Sequence, residues 1–199
     1  MCIRDRDRAP RSFPSIANVT FVQDYGGDTL QLREGTGINL WNSIVSGNPE
    51  DSAGCVDVDD DETFRFMSEE NGLSFAGTLF DSVKCGTWYF NDGQGGIEAG
   101  GGLEGDNDVA DGGFAFDVAE YIANNAYVGA TGLHGRMRNA AYITHPLVDS
   151  YYEAADANSI DPRVDTTTFI GGVESEANDW TVGWLSLIHI SEPTRLSTI

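Results

Sequence analysis

From Ser15 to Tyr89 the chain is a series of short runs in which apolar and polar residues alternate at period two, separated by turns. The runs are Asn18-Val19-Thr20-Phe21-Val22, Thr29-Leu30-Gln31-Leu32-Arg33, Ile38-Asn39-Leu40-Trp41-Asn42-Ser43-Ile44-Val45, Cys55-Val56-Asp57-Val58-Asp59 and Leu73-Ser74-Phe75-Ala76-Gly77-Thr78-Leu79-Phe80. Alternation at this period places every second side chain on one face, which is the pattern of a half-buried strand. The separators carry turn chemistry: Tyr25-Gly26-Gly27-Asp28, Glu34-Gly35-Thr36-Gly37, Gly47-Asn48-Pro49 and Glu70-Asn71-Gly72.

The runs also repeat. Asn18-Val19-Thr20-Phe21-Val22 returns 24 positions later as Asn42-Ser43-Ile44-Val45-Ser46. Leu30-Gln31-Leu32-Arg33-Glu34 returns 26 positions later as Val56-Asp57-Val58-Asp59-Asp60. A strand-and-turn unit of this length cannot bury its apolar face alone and stacks on its neighbours. The expected fold class is therefore all-β, a β-solenoid; an antiparallel sandwich or barrel has similar strand spacing and is the alternative.

The second half departs from this repetition. Residues 93–113 are rich in Gly, Asp and Glu and read as a long loop. The segment 114–123 has apolar residues at Phe114, Val118, Tyr121 and Ile122, a spacing compatible with a short helix; a strand or irregular segment is the alternative. The segment 146–155, opened by Pro146, is a second helix candidate. Residues 169–173 read as a last short strand. The expected organisation is one domain: β-coils over 7–92, the Gly/acidic loop over 93–113, and a C-terminal part over 114–184.

Residues 1–6 and 185–199 stand outside that domain. Met1-Cys2-Ile3-Arg4-Asp5 and Leu185-Ser186-Leu187-Ile188-His189-Ile190 resemble the two orientations of a translated transposase sequencing adapter. The resemblance implies that both ends are artefacts, and that Cys2 and His189 take no part in any site.

Charge narrows the function classes. The chain carries 11 basic against 32 acidic side chains, a net charge of −21. A surface this negative repels phosphate backbones and anionic membranes, so nucleic acid is not an expected partner. It suits cation binding or solubility in a saline medium. Lys84 is the sole lysine, which argues against lysine chemistry. No membrane span is expected in this sequence.

Cys55 and Cys85 lie in or beside strand-like segments and are the disulfide candidates. Neither stands at zinc-site spacing from a histidine. Hard cations such as Ca²⁺ require several oxygen ligands at once. The run Asp57, Asp59, Asp60, Asp61 and Glu62 offers them, with Asp57 and Asp59 on one side of a strand and the other three in a turn. It lacks the glycine of an EF-hand loop. Asp106, Asp108 and Asp111 form a second oxygen-rich loop, without the nonapeptide repeat of calcium-binding β-rolls. A hydrated acidic surface is the other reading of both segments.

Catalytic signals are weaker. Arg33 and Glu34, with Asp57 and Asp59 one repeat on, are the only arrangement that suits a polysaccharide lyase or hydrolase; an Arg–acid ladder on the surface is the other reading. His134 and His145 match no metal or triad spacing. Trp41, Trp88, Tyr89, Trp180 and Trp184 read either as sugar-stacking platforms or as core and end-capping residues.

The stretch Leu32-Arg33-Glu34-Gly35-Thr36-Gly37, running into Trp41-Asn42-Ser43-Ile44-Val45-Ser46-Gly47, resembles coils of right-handed parallel β-helix proteins from bacterial surfaces. Phe169-Ile170-Gly171-Gly172-Val173, followed by Asn178-Asp179-Trp180-Thr181-Val182-Gly183-Trp184, resembles the C-terminal region of an uncharacterised secreted group among them. The resemblance implies a right-handed parallel β-helix fragment with an irregular C-terminal region, and export to the medium or the outer cell surface. The expected function is a non-enzymatic surface, adhesive or structural module that binds Ca²⁺ and meets extracellular polysaccharide or a cell-surface component. A carbohydrate-active β-helix enzyme is the alternative.

Overall fold

The computed structural model describes residues 10–22, 29–47, 55–58, 61–82, 118–129, 131 and 152–180. Nine short strands, three α-helices and a 3₁₀ turn make up the regular structure of these residues. The strands are β1 (Ser15–Ala17), β2 (Thr20–Val22), β3 (Leu30–Leu32), β4 (Ile38–Trp41), β5 (Ile44–Ser46), β6 (Val56–Val58), β7 (Leu73–Ser74), β8 (Leu79–Asp81) and β9 (Tyr127–Gly129). The helices are α1 (Asp61–Glu70), α2 (Val118–Asn125) and α3 (Ala157–Ile160), and the 3₁₀ turn is Glu176–Asn178.

All strand pairing among the described residues is parallel. The sheets run β1-β4-β7, β2-β5-β8-β9 and β3-β6. The two sequence repeats are ladder partners: Thr20 lies opposite Ile44, and Leu30 opposite Val56. Parallel neighbours need a crossover rather than a hairpin, and from β1 to β8 each strand hands the chain to another sheet before its partner is reached.

The all-β solenoid expectation is overturned, and so is the antiparallel alternative. The described residues form small parallel sheets with helices between the strands, an α/β arrangement without a closed solenoid. The physical reason lies in the crossovers. Ser15 pairs with Asn39, but Ile38 pairs with Leu73 because α1 intervenes, and Leu79 pairs with Tyr127 because α2 intervenes. The interior is closed by these helices: Phe64 and Met67 of α1 and Ile122 of α2 are buried in one cluster with Leu30, Leu40, Val45, Phe75 and Phe80.

Helix α1 occupies residues expected to form an acidic turn. Its acidic residues Asp61 and Glu62 stand at the N-terminus, where the helix dipole favours negative charge. Phe64 and Met67 recur at i, i+3 and point inward, while Ser68, Glu69 and Glu70 face solvent. The helix ends at Asn71, whose φ of 55° is left-handed, and the Gly72 N–H donates back to the Phe66 carbonyl at 3.0 Å. Gly72 has no side chain for a steric reason: a Cβ there would lie 2.6 Å from the Phe66 ring.

Two further expectations change. The 169–173 segment is a succession of bends rather than a strand, with Gly171 at a φ of 92°. The helix expected over 146–155 is absent from its described part; 152–156 is irregular and helix begins only at Ala157. Asp156 caps it by accepting from the Ser159 N–H, which fixes the start there. The helix expected over 114–123 is present as α2 in its described part, and extends to Asn125.

The middle strands are buried on both faces. In β5 and β8, Val45 and Phe80 enter the main cluster, while Ile44 and Leu79 pack on the other side with Ile170. The C-terminal segment therefore covers the outer face of the β2-β5-β8-β9 sheet, which explains why β5 is buried at every position despite its half-buried pattern.

Candidate functional site

A polar constellation lies where the first sheet turns into the second. Asn18 follows β1, Asn42 follows β4, and Gly77 stands in the turn after β7. Their φ angles are 54°, 47° and 65°, so all three are left-handed. Asn tolerates this region because its short carboxamide bonds locally, and Gly because it has no Cβ. The row is stitched by main-chain bonds: Asn18 N–H donates to the Trp41 carbonyl, and Asn42 N–H to the Ala76 carbonyl, each at 3.0 Å.

The left-handed turn aims the two carboxamides at the C-terminal segment. Asn42, fully buried, donates from Nδ2 to the Ala155 carbonyl at 2.9 Å and accepts the Ala155 N–H on Oδ1 at 2.7 Å. Its Nδ2 also donates to Thr167 Oγ1 at 3.3 Å. Thr167 in turn donates to Asn18 Oδ1 at 2.9 Å, and Asn18 Nδ2 donates to the Phe169 carbonyl at 2.9 Å. Gly171 N–H donates to the Asn42 carbonyl at 2.7 Å, and Gly172 N–H to Thr20 Oγ1 at 2.9 Å. Gly77 completes the site by absence: a Cβ there would sit 2.3 Å from Asn42 Oδ1 and 2.8 Å from the Ala155 nitrogen.

A second polar cluster lies at the far end of the same sheet. Asp81, fully buried at the end of β8, accepts on Oδ2 from Ser46 at 3.1 Å and from Thr131. Both donors are hydroxyls from neighbouring chain segments, so the carboxylate ties β5, β8 and the residues after β9 together. A buried carboxylate requires such donors.

The sequence-derived candidates disperse. Asp57 stands in β6 opposite Gln31, while Asp61 and Glu62 open α1. Glu62 Oε2 meets Arg65 Nη2 at 2.9 Å and Arg11 Nη2 at 3.6 Å, so that oxygen is engaged by two guanidiniums. Arg65 also approaches Glu70 at 3.5 Å, and Arg11 lies over the Phe66 ring at 5.4 Å. Asp59, Asp60, Asp106, Asp108 and Asp111 lie outside the described residues, as do Cys85, His134, His145, Trp88, Tyr89 and Trp184. Among the described residues no three His, Cys, Asp or Glu side chains come together as a metal site.

Cys55 is fully buried and disulfide-bonded. Arg33 is exposed after β3, and Glu34 takes a left-handed turn conformation with a φ of 57°. Trp41 is a core residue, its indole N–H donating to Ser74 Oγ at 2.9 Å. Trp180 is 61% exposed and its indole N–H donates to the Gly172 carbonyl at 2.6 Å.

The asparagine row went unnoticed in the sequence, although the signal was there. Both repeats that define the 24-residue offset begin with asparagine, and Asn is a residue that tolerates the left-handed turn conformation. The partner segment carried no comparable mark, since it offers main chain. No helix among the described residues is long and apolar enough to cross a membrane. Comparison of the chain with protein families, curated proteins and solved structures gives no match.

Proposed function

We propose that this chain is a non-enzymatic structural module of an exported surface protein, presenting a rigid acidic face to extracellular polysaccharide or another cell-surface component. The observation that carries the reading is the employment of the buried and half-buried polar side chains. Asn18, Thr20, Asn42, Ser46, Thr131 and Asp81 all hold one chain segment to another. Each hydroxyl or carboxamide committed in this way contributes about 1 kcal/mol of net stability, and costs more if left unpartnered. Such bonds serve shape retention. The net charge of −21 supports solubility and placement in a saline medium.

The test is incubation of the full chain with neutral and acidic polysaccharides, followed by sedimentation of bound protein and assay of new reducing or unsaturated ends. Co-sedimentation without product supports the reading. Product formation that disappears in an Arg33→Ala variant would overturn it in favour of the carbohydrate-active alternative. Ca²⁺ uptake by the acidic residues is a separate arm. A ligand bound only by the folded state raises the melting temperature. A shift in millimolar Ca²⁺ keeps the cation in the proposal; an unchanged melt removes it.

A further inference from the structure

We propose that the row formed by Asn18, Thr20, Asn42 and Gly77 is a main-chain-reading peptide site, filled here by residues 152–172 of the same chain and open to that segment from a second copy. This goes beyond the structural role above and can fail while that role stands, because it concerns exchange of the segment rather than its presence.

The chemistry of the contact is that of peptide recognition. Five of the segment's groups bound by the row belong to its main chain: Ala155 N–H and carbonyl, the Phe169 carbonyl, and the N–H groups of Gly171 and Gly172. Thr167 supplies the one side-chain partner, bridging the two carboxamides. A carboxamide gripping both polar groups of one residue satisfies donor and acceptor together, as a neighbouring strand would.

The site also sets a size requirement. Ala155 sits where Gly77 leaves space. Gly171 has a φ of 92°, which L side chains rarely adopt, and a Cβ there would also meet Ile44 Cδ1 at 2.8 Å and Thr20 Oγ1 at 2.9 Å, so the occupant needs glycine there. At Gly172 the nearest atom would be 3.5 Å away, an ordinary contact. The occupant is thus a segment with a small residue at the Asn42 clamp and glycine against Ile44. It adds apolar anchors: Ile170 is buried against Ile44 and Leu79, and Tyr152 and Ala154 pack on the same cluster.

Occupation by the chain's own segment reduces the apparent affinity for a second copy by the fraction of time the site is free. Weakening the resident segment without touching the row should therefore improve binding from outside. The test uses a fluorescent synthetic peptide spanning 152–173 and the full chain, read by anisotropy. Ala155→Pro in the full chain removes the N–H that Asn42 accepts. That chain should bind the wild-type peptide at least about tenfold more tightly than the unmodified chain does. Adding Asn42→Gly should abolish the gain, and a peptide carrying Gly171→Ala should not compete. If Ala155→Pro prevents folding, Thr167→Val, which removes only the bridging hydroxyl, replaces it in the same comparison. A folded variant that binds the peptide no better than the unmodified chain overturns the proposal.

Discussion

The Asn42 carboxamide holds Ala155 by both of its main-chain polar groups, 113 positions away in sequence, accepting its N–H at 2.7 Å and donating to its carbonyl at 2.9 Å. Asn42 is also left-handed, at a φ of 47°. The two roles separate by substitution. Asn42→Gly keeps the backbone conformation and loses the clamp; the Ala155 carbonyl keeps the Ala157 N–H as a partner, but leaving the Ala155 N–H without its acceptor should cost about 1–3 kcal/mol. Asn42→Ala adds the strain of a left-handed alanine, about 1 kcal/mol more. Urea denaturation should rank the chains wild type, Gly, Ala in falling stability. Equal stability of all three would show that the clamp contributes nothing.

Gly77 and Gly172 make a matched pair. Gly77→Ala places a Cβ against Asn42 Oδ1 and the Ala155 nitrogen at a φ of 65°. Loss of the clamp together with backbone strain should lower stability by about 2–4 kcal/mol. Gly172→Ala meets only ordinary contacts and should change stability by less than about 1 kcal/mol. Thermal melts of the two variants check the contrast.

Helix α2 belongs to the core rather than to a peripheral insertion. Ile122 is fully buried in the main cluster, and Tyr121 donates its hydroxyl to the Leu73 carbonyl at 2.6 Å. Burial pushes the Tyr121 phenol above its ordinary pKa. Ile122→Ala should cost about 2–5 kcal/mol, the range for emptying a core site. A cost below about 1 kcal/mol, measured by urea denaturation, would mean that the helix does not close the interior.

One titration has a defined sign. The Arg163 guanidinium bonded to Asp161 holds that carboxyl well below the usual carboxylate range, at about 2. A folded-state pKa below the unfolded value stabilises the fold above the unfolded pKa, and that contribution is lost as pH falls from about 4 through about 2. The Arg163 side chain is exposed, so solvent screening keeps the pair's effect on stability small. In Arg163→Ala the Asp161 carboxyl should titrate near its ordinary value, followed by carbon NMR of the side chain. An unchanged titration would show that another group sets it.

Strands were legible in the sequence because their signal is local. Leu30 and Leu32 flank exposed Gln31, and the 24- and 26-residue repeats mark ladder partners. The connections were not legible. The run from Asp57 to Glu62 reads as a strand that gives way to an acidic turn at Asp60–Glu62; Asp57 does stand in a strand, yet Asp61 and Glu62 open a helix, decided by where Phe64 and Met67 can be buried. The site was half legible. Asn18 and Asn42 announce themselves by their repeat, whereas Ala155 and Gly171 are recognised through main-chain atoms that every residue possesses. Ile44 and Leu79 likewise gain a second buried face only because Ile170 arrives from far along the chain.

The most direct measurement is amide hydrogen exchange at Ala155, followed by NMR in the wild-type chain and in Asn42→Gly. The account predicts a protected Ala155 amide in the wild type and at least about tenfold faster exchange in the variant, with the Ile44 and Leu79 amides still protected. An Ala155 amide that exchanges freely in the wild type, or is equally protected without the Asn42 carboxamide, would contradict it.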